Sequence, residues 1–192
     1  MTKAEVRKIY LQKQKSLSAY ERSERNLHIA TRFFERFDLT KMRFLHTFLS
    51  IAKNGEVETL HVRKRLWKEF PEITTVAPRV DFQTMTLESR RFDAATSFVE
   101  NVWGIPEPSD GETVAVEKID VCLVPLLGFD EKGFRVGYGK GFYDRFLSEC
   151  RPDCLKIGLS YFEPTTKIAD VQKFDVKLDF CVTPQTVFGF KK

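Results

Sequence analysis

The sequence predicts an α/β fold, a single domain over residues 1–192 with a largely parallel sheet flanked by helices. Three observations carry this expectation. From residue 42 onward, short apolar runs of strand length alternate with stretches of helical periodicity, the order that builds parallel sheets. A chain of 192 residues suits one domain and buries enough surface to need no staples. Hydrophobic residues make up 42% and charged residues 30%, an ordinary globular profile.

The elements follow in order. Residues 2 to 37 read as two helices, the second with Leu27, Ala30, Phe33, Phe34 and Phe37 on one stripe. Met42 to Ser50 is a buried-strand candidate. After the turn Lys53-Asn54-Gly55, a third helix begins at Glu56, carries Val57, Leu60, Leu66, Trp67 and Phe70, and stops at Pro71. Ile73 to Ala77 is the next strand, ending at Pro78. Met85 to Phe92 is a strand candidate, and Asp93 to Val99 a short strand or turn. Trp103 to Gly111 holds two prolines and two glycines and reads as loop. Val121 to Val124 is a strong strand, Lys140 to Cys150 a helix, and Leu155 to Leu159 and Phe180 to Thr183 further strands. The two N-terminal helices would cover one face or edge of the sheet.

Composition excludes several classes. Lys and Arg number 31 against 27 Asp and Glu, and a net charge of +4 is too mild to argue for a nucleic-acid partner. The basic groups Lys3, Arg7, Lys8 and Arg63, Lys64, Arg65 read either as solvated helix faces or as an anion pocket. Cys122, Cys150, Cys154 and Cys181 lack zinc-ligand spacing and read as reduced thiols of a cytoplasmic protein. The start, MTKAEVRK, has no apolar stretch of signal-peptide type. The longest apolar run, Val121 to Phe129, contains Pro125 and Gly128 and falls far short of the ~20 residues a membrane span needs. The 18 Phe read as a core packed with Phe.

Three segments could carry chemistry. Gly137, Gly139 and Gly141 form G-x-G-x-G between a strand region and a helix. Glycines allow positive φ and close backbone approach, so successive N–H groups can turn toward phosphate oxygens, and the following helix adds its positive end. Arg135 and Lys140 could supply full charge. The pattern is neither a Walker A loop nor a Rossmann fingerprint. Asp144 follows directly and is either a favourable first-turn acid or a Mg²⁺ ligand, with Asp175 or Asp179 as a second carboxylate. Glu56 follows an Asn-Gly turn just past a strand end, where ligands of open α/β sheets collect. It reads as a site residue or as a simple helix-start acid. Trp103, in the rigid segment WGIPEP, could stack on a flat heterocycle or plug the surface.

Together these segments resemble the 5-formyltetrahydrofolate cyclo-ligase family, in order along nearly the whole chain. The matches are Lys3 and Arg7; Leu49-Ser50 with Glu56-Val57-Glu58-Thr59; Pro78-Arg79-Val80; and Trp103 to Pro108. Beyond them lie Val124-Pro125, Phe129-Asp130, Gly133, Arg135, Gly137 to Gly141, Tyr143-Asp144-Arg145, and finally Asp175, Leu178-Asp179 and Val182-Thr183. The chain departs from the family pattern with Phe174 in place of His, Phe142 in place of the first Tyr of Tyr-Tyr-Asp, and two extra residues between Ser50 and Glu56.

The resemblance implies a fold akin to the sugar-phosphate isomerase and CoA-transferase superfold. It implies Mg²⁺ and ATP, with 5-formyltetrahydrofolate as the substrate converted to 5,10-methenyltetrahydrofolate. Lys3, Arg7, Arg135, Gly137, Tyr138, Gly139, Lys140, Gly141 and Tyr143 would hold ATP, with Arg135 and Lys140 assisting transfer. Asp144 and Asp175 would position the metal. Leu49, Glu56, Trp103, Tyr138, Gly139, Lys140, Gly141 and Phe142 would contact the folate. A monomer is favoured. Two other functions compete: a sugar-phosphate isomerase or CoA-transferase-like enzyme, active without ATP, and a non-catalytic nucleotide- or RNA-binding module with steeply salt-dependent binding.

Overall fold

The computed structural model describes residues 1–190. Two helices open the chain, α1 (Lys3–Ser16) and α2 (Ala19–Arg36). Each starts at a capping box, Thr2 with Glu5 and Ser18 with Glu21, which satisfies orphan backbone donors at both ends of the reciprocal pair. Then follow β1 (Phe44–His46), a single 3-10 turn at Ala52–Asn54, α3 (Leu60–Glu69), β2 (Thr74–Asp81), β3 (Thr86–Arg91), β4 (Phe98–Glu100), β5 (Pro106–Pro108) and β6 (Thr113–Val114). The second half holds β7 (Val121–Pro125), β8 (Gly128–Phe129), β9 (Arg135–Val136), α4 (Phe142–Glu149), β10 (Leu155–Leu159), β11 (Phe180–Val182) and β12 (Val187–Gly189).

Eight strands form the main sheet, in the order β12-β11-β10-β7-β1-β2-β3-β6. The middle five, β11 to β2, are mutually parallel, and β12, β3 and β6 add antiparallel edges. The largely parallel sheet expected from the sequence is present. Burial on both faces explains the apolar run of β7. Val121 and Leu123 join the core beneath α2 and α3, with Phe33, Leu45, Leu66 and Ile157. Cys122 and Val124 point the other way, into a core with Phe146 and Leu147 of α4. Helices therefore cover both faces, held by the period-2 alternation of a strand.

Several expected boundaries shift. Only Phe44–His46 of the Met42–Ser50 segment is strand, because Phe48 and Leu49 leave the sheet edge. β2 does not stop at Pro78. Phe92 N–H donates to the Thr75 carbonyl at 3.0 Å, so odd-numbered residues of β2 bond to β3. The Pro78 nitrogen therefore faces the other side, which β1 has already vacated, and no ladder bond is lost. The third helix starts at Leu60 rather than Glu56, and the fourth at Phe142, with Gly141 as its cap at φ 69°. The proline-rich segment after Trp103 contains β5, paired with β4 as a separate two-stranded flap where prolines are tolerated.

The 18 Phe are not uniformly core. Phe33 and Phe129 are fully buried, whereas Phe82, Phe98 and Phe174 are exposed. All four cysteines are free and buried. Among the described residues, no helix is long and apolar enough to cross a membrane.

Candidate active site

A cavity of about 570 Å³ opens at the C-terminal edge of β1, β2 and β7. Phe48 and Leu49 just past β1, Pro78 and Val80 in the C-terminal half of β2, and Pro125 at the end of β7 line it. This is the edge where open α/β sheets bind ligands.

Helix α1 supplies one wall. Val6 and Tyr10 pack with Leu127, Val136 and Ile168. A Cβ at Gly128 would come within 3.1 Å of Val6, so glycine there permits the close approach of α1 to the β8–β9 hairpin. Lys3 and Arg7, on the neighbouring stripe, then face the cavity. Arg7 Nε donates to the Gly137 carbonyl at 3.1 Å, tying the helix to the glycine loop.

Gly139 and Gly141 hold φ of 97° and 69°, the left-handed region in which a side chain is strained. The loop thus bends as the spacing predicts, and Gly137 to Gly141 all line the cavity before α4 begins. Lys140 extends its ammonium to 5.5 Å from the Trp103 ring centroid.

The opposite wall comes from the 51–56 segment and the β4–β5 flap. Glu107 accepts from Val80 N–H at 2.8 Å and Asn101 Nδ2 at 2.7 Å, which anchors the flap to β2. Lys53 Nζ donates to the Trp103 carbonyl at 2.7 Å. Trp103 lies edge-on to Phe82 and near Phe142. Its flat ring therefore lines the cavity rather than plugging the surface.

Glu56 is not a helix-start acid. It precedes α3, is buried, and turns its carboxylate back to accept from Ile51 N–H at 2.8 Å. Burial pushes its pKa up to about 7, partly offset by hydrogen bonds from the Ile51 amide, Tyr138 and Asn54. Tyr138 is half-buried, which together with the nearby Glu56 charge keeps its phenol neutral.

The two candidate metal carboxylates reach the same cavity but are already engaged. Asp144 accepts from Arg135 Nη2 at 2.9 Å and from Val176 N–H at 3.1 Å. Asp175 accepts from Lys3 Nζ at 2.6 Å. Asp179 lies elsewhere, accepting from Lys156 N–H at 2.9 Å. Among the described residues no group of three or more His, Cys, Asp or Glu could hold a metal by itself. Two carboxylates beside a glycine loop do fit Mg²⁺, which usually takes one or two carboxylates and completes its shell with phosphates and water.

Arg135 is buried, with its guanidinium also donating to the Val176 carbonyl. Its charge fixes Asp144 and the loop after Gln172 before any ligand arrives. The second basic group is remote: Arg63 pairs with Glu58 and Arg65 with Glu69, and neither lines the cavity. Sequence reading missed Gln14, Lys53 and His46. Gln14 lies seven residues after Arg7, two helical turns along the same face, a spacing that could have exposed it. His46 is fully buried under Tyr143, with Nε2 at 3.4 Å from the hydroxyl, and no local pattern marks it.

Fold and site together define an α/β enzyme in which a glycine loop, Gly137 to Gly141, faces Glu56 and Trp103 across one cavity. The model of the 5-formyltetrahydrofolate cyclo-ligase family matches residues 1–184. A mouse 5-formyltetrahydrofolate cyclo-ligase is 28% identical over 88% of this chain and 86% of its own. The Escherichia coli K12 enzyme of that name is 26% identical over 92% and 97%. The solution structure of Aquifex aeolicus 5,10-methenyltetrahydrofolate synthetase superposes with TM-score 0.84 at 28% identity, covering 100% of this chain and 94% of that one. The Mycoplasma pneumoniae synthetase gives 0.76 at 26% identity, covering 96% and 99%. The chain belongs to the 5-formyltetrahydrofolate cyclo-ligase family.

Proposed function

We propose that the chain converts 5-formyltetrahydrofolate and ATP to 5,10-methenyltetrahydrofolate, ADP and phosphate, in the cytoplasm. One observation carries this reading: Gly137 to Gly141, Glu56 and Trp103 line a single cavity. A terminal phosphoryl group held by the loop then lies within reach of a flat-ring substrate on the opposite wall.

The chemistry needs such an arrangement. The N5-formyl oxygen is a poor leaving group, so attack by N10 stalls. Transfer of the γ-phosphoryl group to that oxygen, with ADP leaving, gives an imidate phosphate. N10 attacks the activated carbon, loses its proton, and phosphate departs as the five-membered ring closes. Such a transfer needs alignment and charge neutralisation rather than a protein nucleophile. Lys140, Arg7 and the loop amides hold the phosphates, and Arg135 stabilises the cradle through Asp144. Glu56, Leu49, Trp103 and Phe142 orient the folate, and Tyr138 stands between the two groups. Mg²⁺, arriving with ATP, would meet Asp144 and Asp175 and supply further neutralisation of the phosphates. Lys3, which holds Asp175, would yield that carboxylate or share it. Effective alignment of this kind can be worth about 7–11 kcal/mol at best.

The test is direct. Protein, Mg·ATP and folinic acid are mixed, and the methenyl chromophore is followed by absorbance. Chromophore that forms only with ATP supports the reading; none with ATP, or an equal amount without it, overturns it.

A further inference from the structure

Gln14 is 2% exposed on α1, yet its side chain reaches both walls of the cavity. Its Nε2 donates to the Asn54 carbonyl at 3.0 Å and to the Tyr138 hydroxyl at 3.0 Å. Asn54 closes the 3-10 turn that leads to Glu56, and Tyr138 sits inside the glycine loop. The two segments are 84 residues apart in the chain, and this amide is bonded to both.

The helix explains how it can do so. At 100° per residue, Lys3, Arg7 and Gln14 fall within about 40° of one another, and Lys3 and Gln14 are about 16 Å apart along the axis. One face of α1 therefore touches Asp175, Gly137, Tyr138 and Asn54 in succession. A buried amide with two well-made bonds is a rigid connector, since losing it leaves two part-buried acceptors without their donor.

We propose that Gln14 is a positioning residue, coupling the glycine loop to the Glu56 turn so that phosphoryl donor and formyl acceptor stay aligned. This rests on the folate reading for its kinetic consequence but not for its structural one. Donation from Gln14 also polarises the Tyr138 hydroxyl, which in turn bonds the Glu56 carboxylate.

The experiment uses Gln14→Met, near in volume but without donors, and Gln14→Asn, one methylene too short to bridge. Each is combined with Tyr138→Phe in a double-mutant cycle. With folded protein confirmed by circular dichroism, each Gln14 variant should lower kcat about tenfold. Adding Tyr138→Phe should cost less than its effect alone, because the pair acts as a unit. Independently, the Glu56 carboxyl followed by ¹³C NMR without substrate should titrate higher in the Gln14 variants than in the wild type. Fully additive kinetic losses, or a Glu56 titration unchanged in both variants, overturns the proposal. Wild-type protein that makes no methenyl chromophore would sink the folate reading instead, while the substrate-free titration would still judge Gln14.

Discussion

Lys140 holds its ammonium 5.5 Å from the centre of the Trp103 ring, joining the glycine loop to the opposite wall of the cavity. Such a contact is worth about 0.5–1 kcal/mol at an exposed site, so phosphate can displace it easily. ATP should therefore change Trp103 fluorescence. Lys140→Met should lower kcat by roughly 10²-fold, on the scale of other lost charge-stabilising groups, with the melting temperature unchanged. Steady-state kinetics and thermal melts check both parts. Wild-type kcat in the variant would remove Lys140 from the phosphate site.

Glu56 faces the cavity from the wall that carries Trp103. Glu56→Gln keeps the shape and removes the charge. It should raise KM for folinic acid about tenfold and leave KM for ATP within about twofold, the loss of roughly one charged hydrogen bond. Initial-rate measurements with either substrate varied will separate the two.

Stability should depend on pH through two buried groups of opposite sign. Glu56 is raised from an ordinary 4.5 to about 7, so its contribution is full below 4.5 and lost as pH rises through about 7. His46 is depressed by burial from 6.5 to about 3, so its contribution is full above 6.5 and lost as pH falls through about 3. The two slopes oppose each other between the ordinary Glu and His values, giving a flat region there. In Glu56→Gln the neutral amide removes one slope, and stability should rise with pH across that same window, by order 1 kcal/mol per pH unit. Urea titrations between pH 4 and 8 provide the measurement.

Arg135 is 4% exposed at its side chain and holds Asp144, which is 28% exposed. Arg135→Met leaves that carboxylate without its buried partner. The cost should be about 3 kcal/mol, toward the low end for a broken buried pair because Asp144 retains some water. A fall in both urea midpoint and kcat is expected. Lost activity with an unchanged midpoint would instead mark Arg135 as a direct phosphate ligand alone.

Local chemistry was legible in the sequence. The glycine spacing at Gly137, Gly139 and Gly141 dictated a bent loop before a helix, because backbone freedom is a property of the residue itself. Strand–helix alternation dictated a parallel sheet, and Lys3 and Arg7, one turn apart, dictated a shared helix face. The tertiary structure decided everything that depends on distant segments meeting. Glu56 read as either a site residue or a helix-start acid until folding buried it and raised its pKa, with Ile51, Asn54 and Tyr138 as its hydrogen-bond partners. Arg135 and Asp144 both read as open ligands until folding paired them. The prolines of β5 read as loop until β4 supplied a partner. His46 carried no local signal and Gln14 only its helical spacing from Arg7, since their roles lie in bonds across 40 to 124 residues of chain. Periodicity and backbone permissiveness are local and survive in one dimension. Burial, and the charge states it sets, arise only when the chain closes on itself.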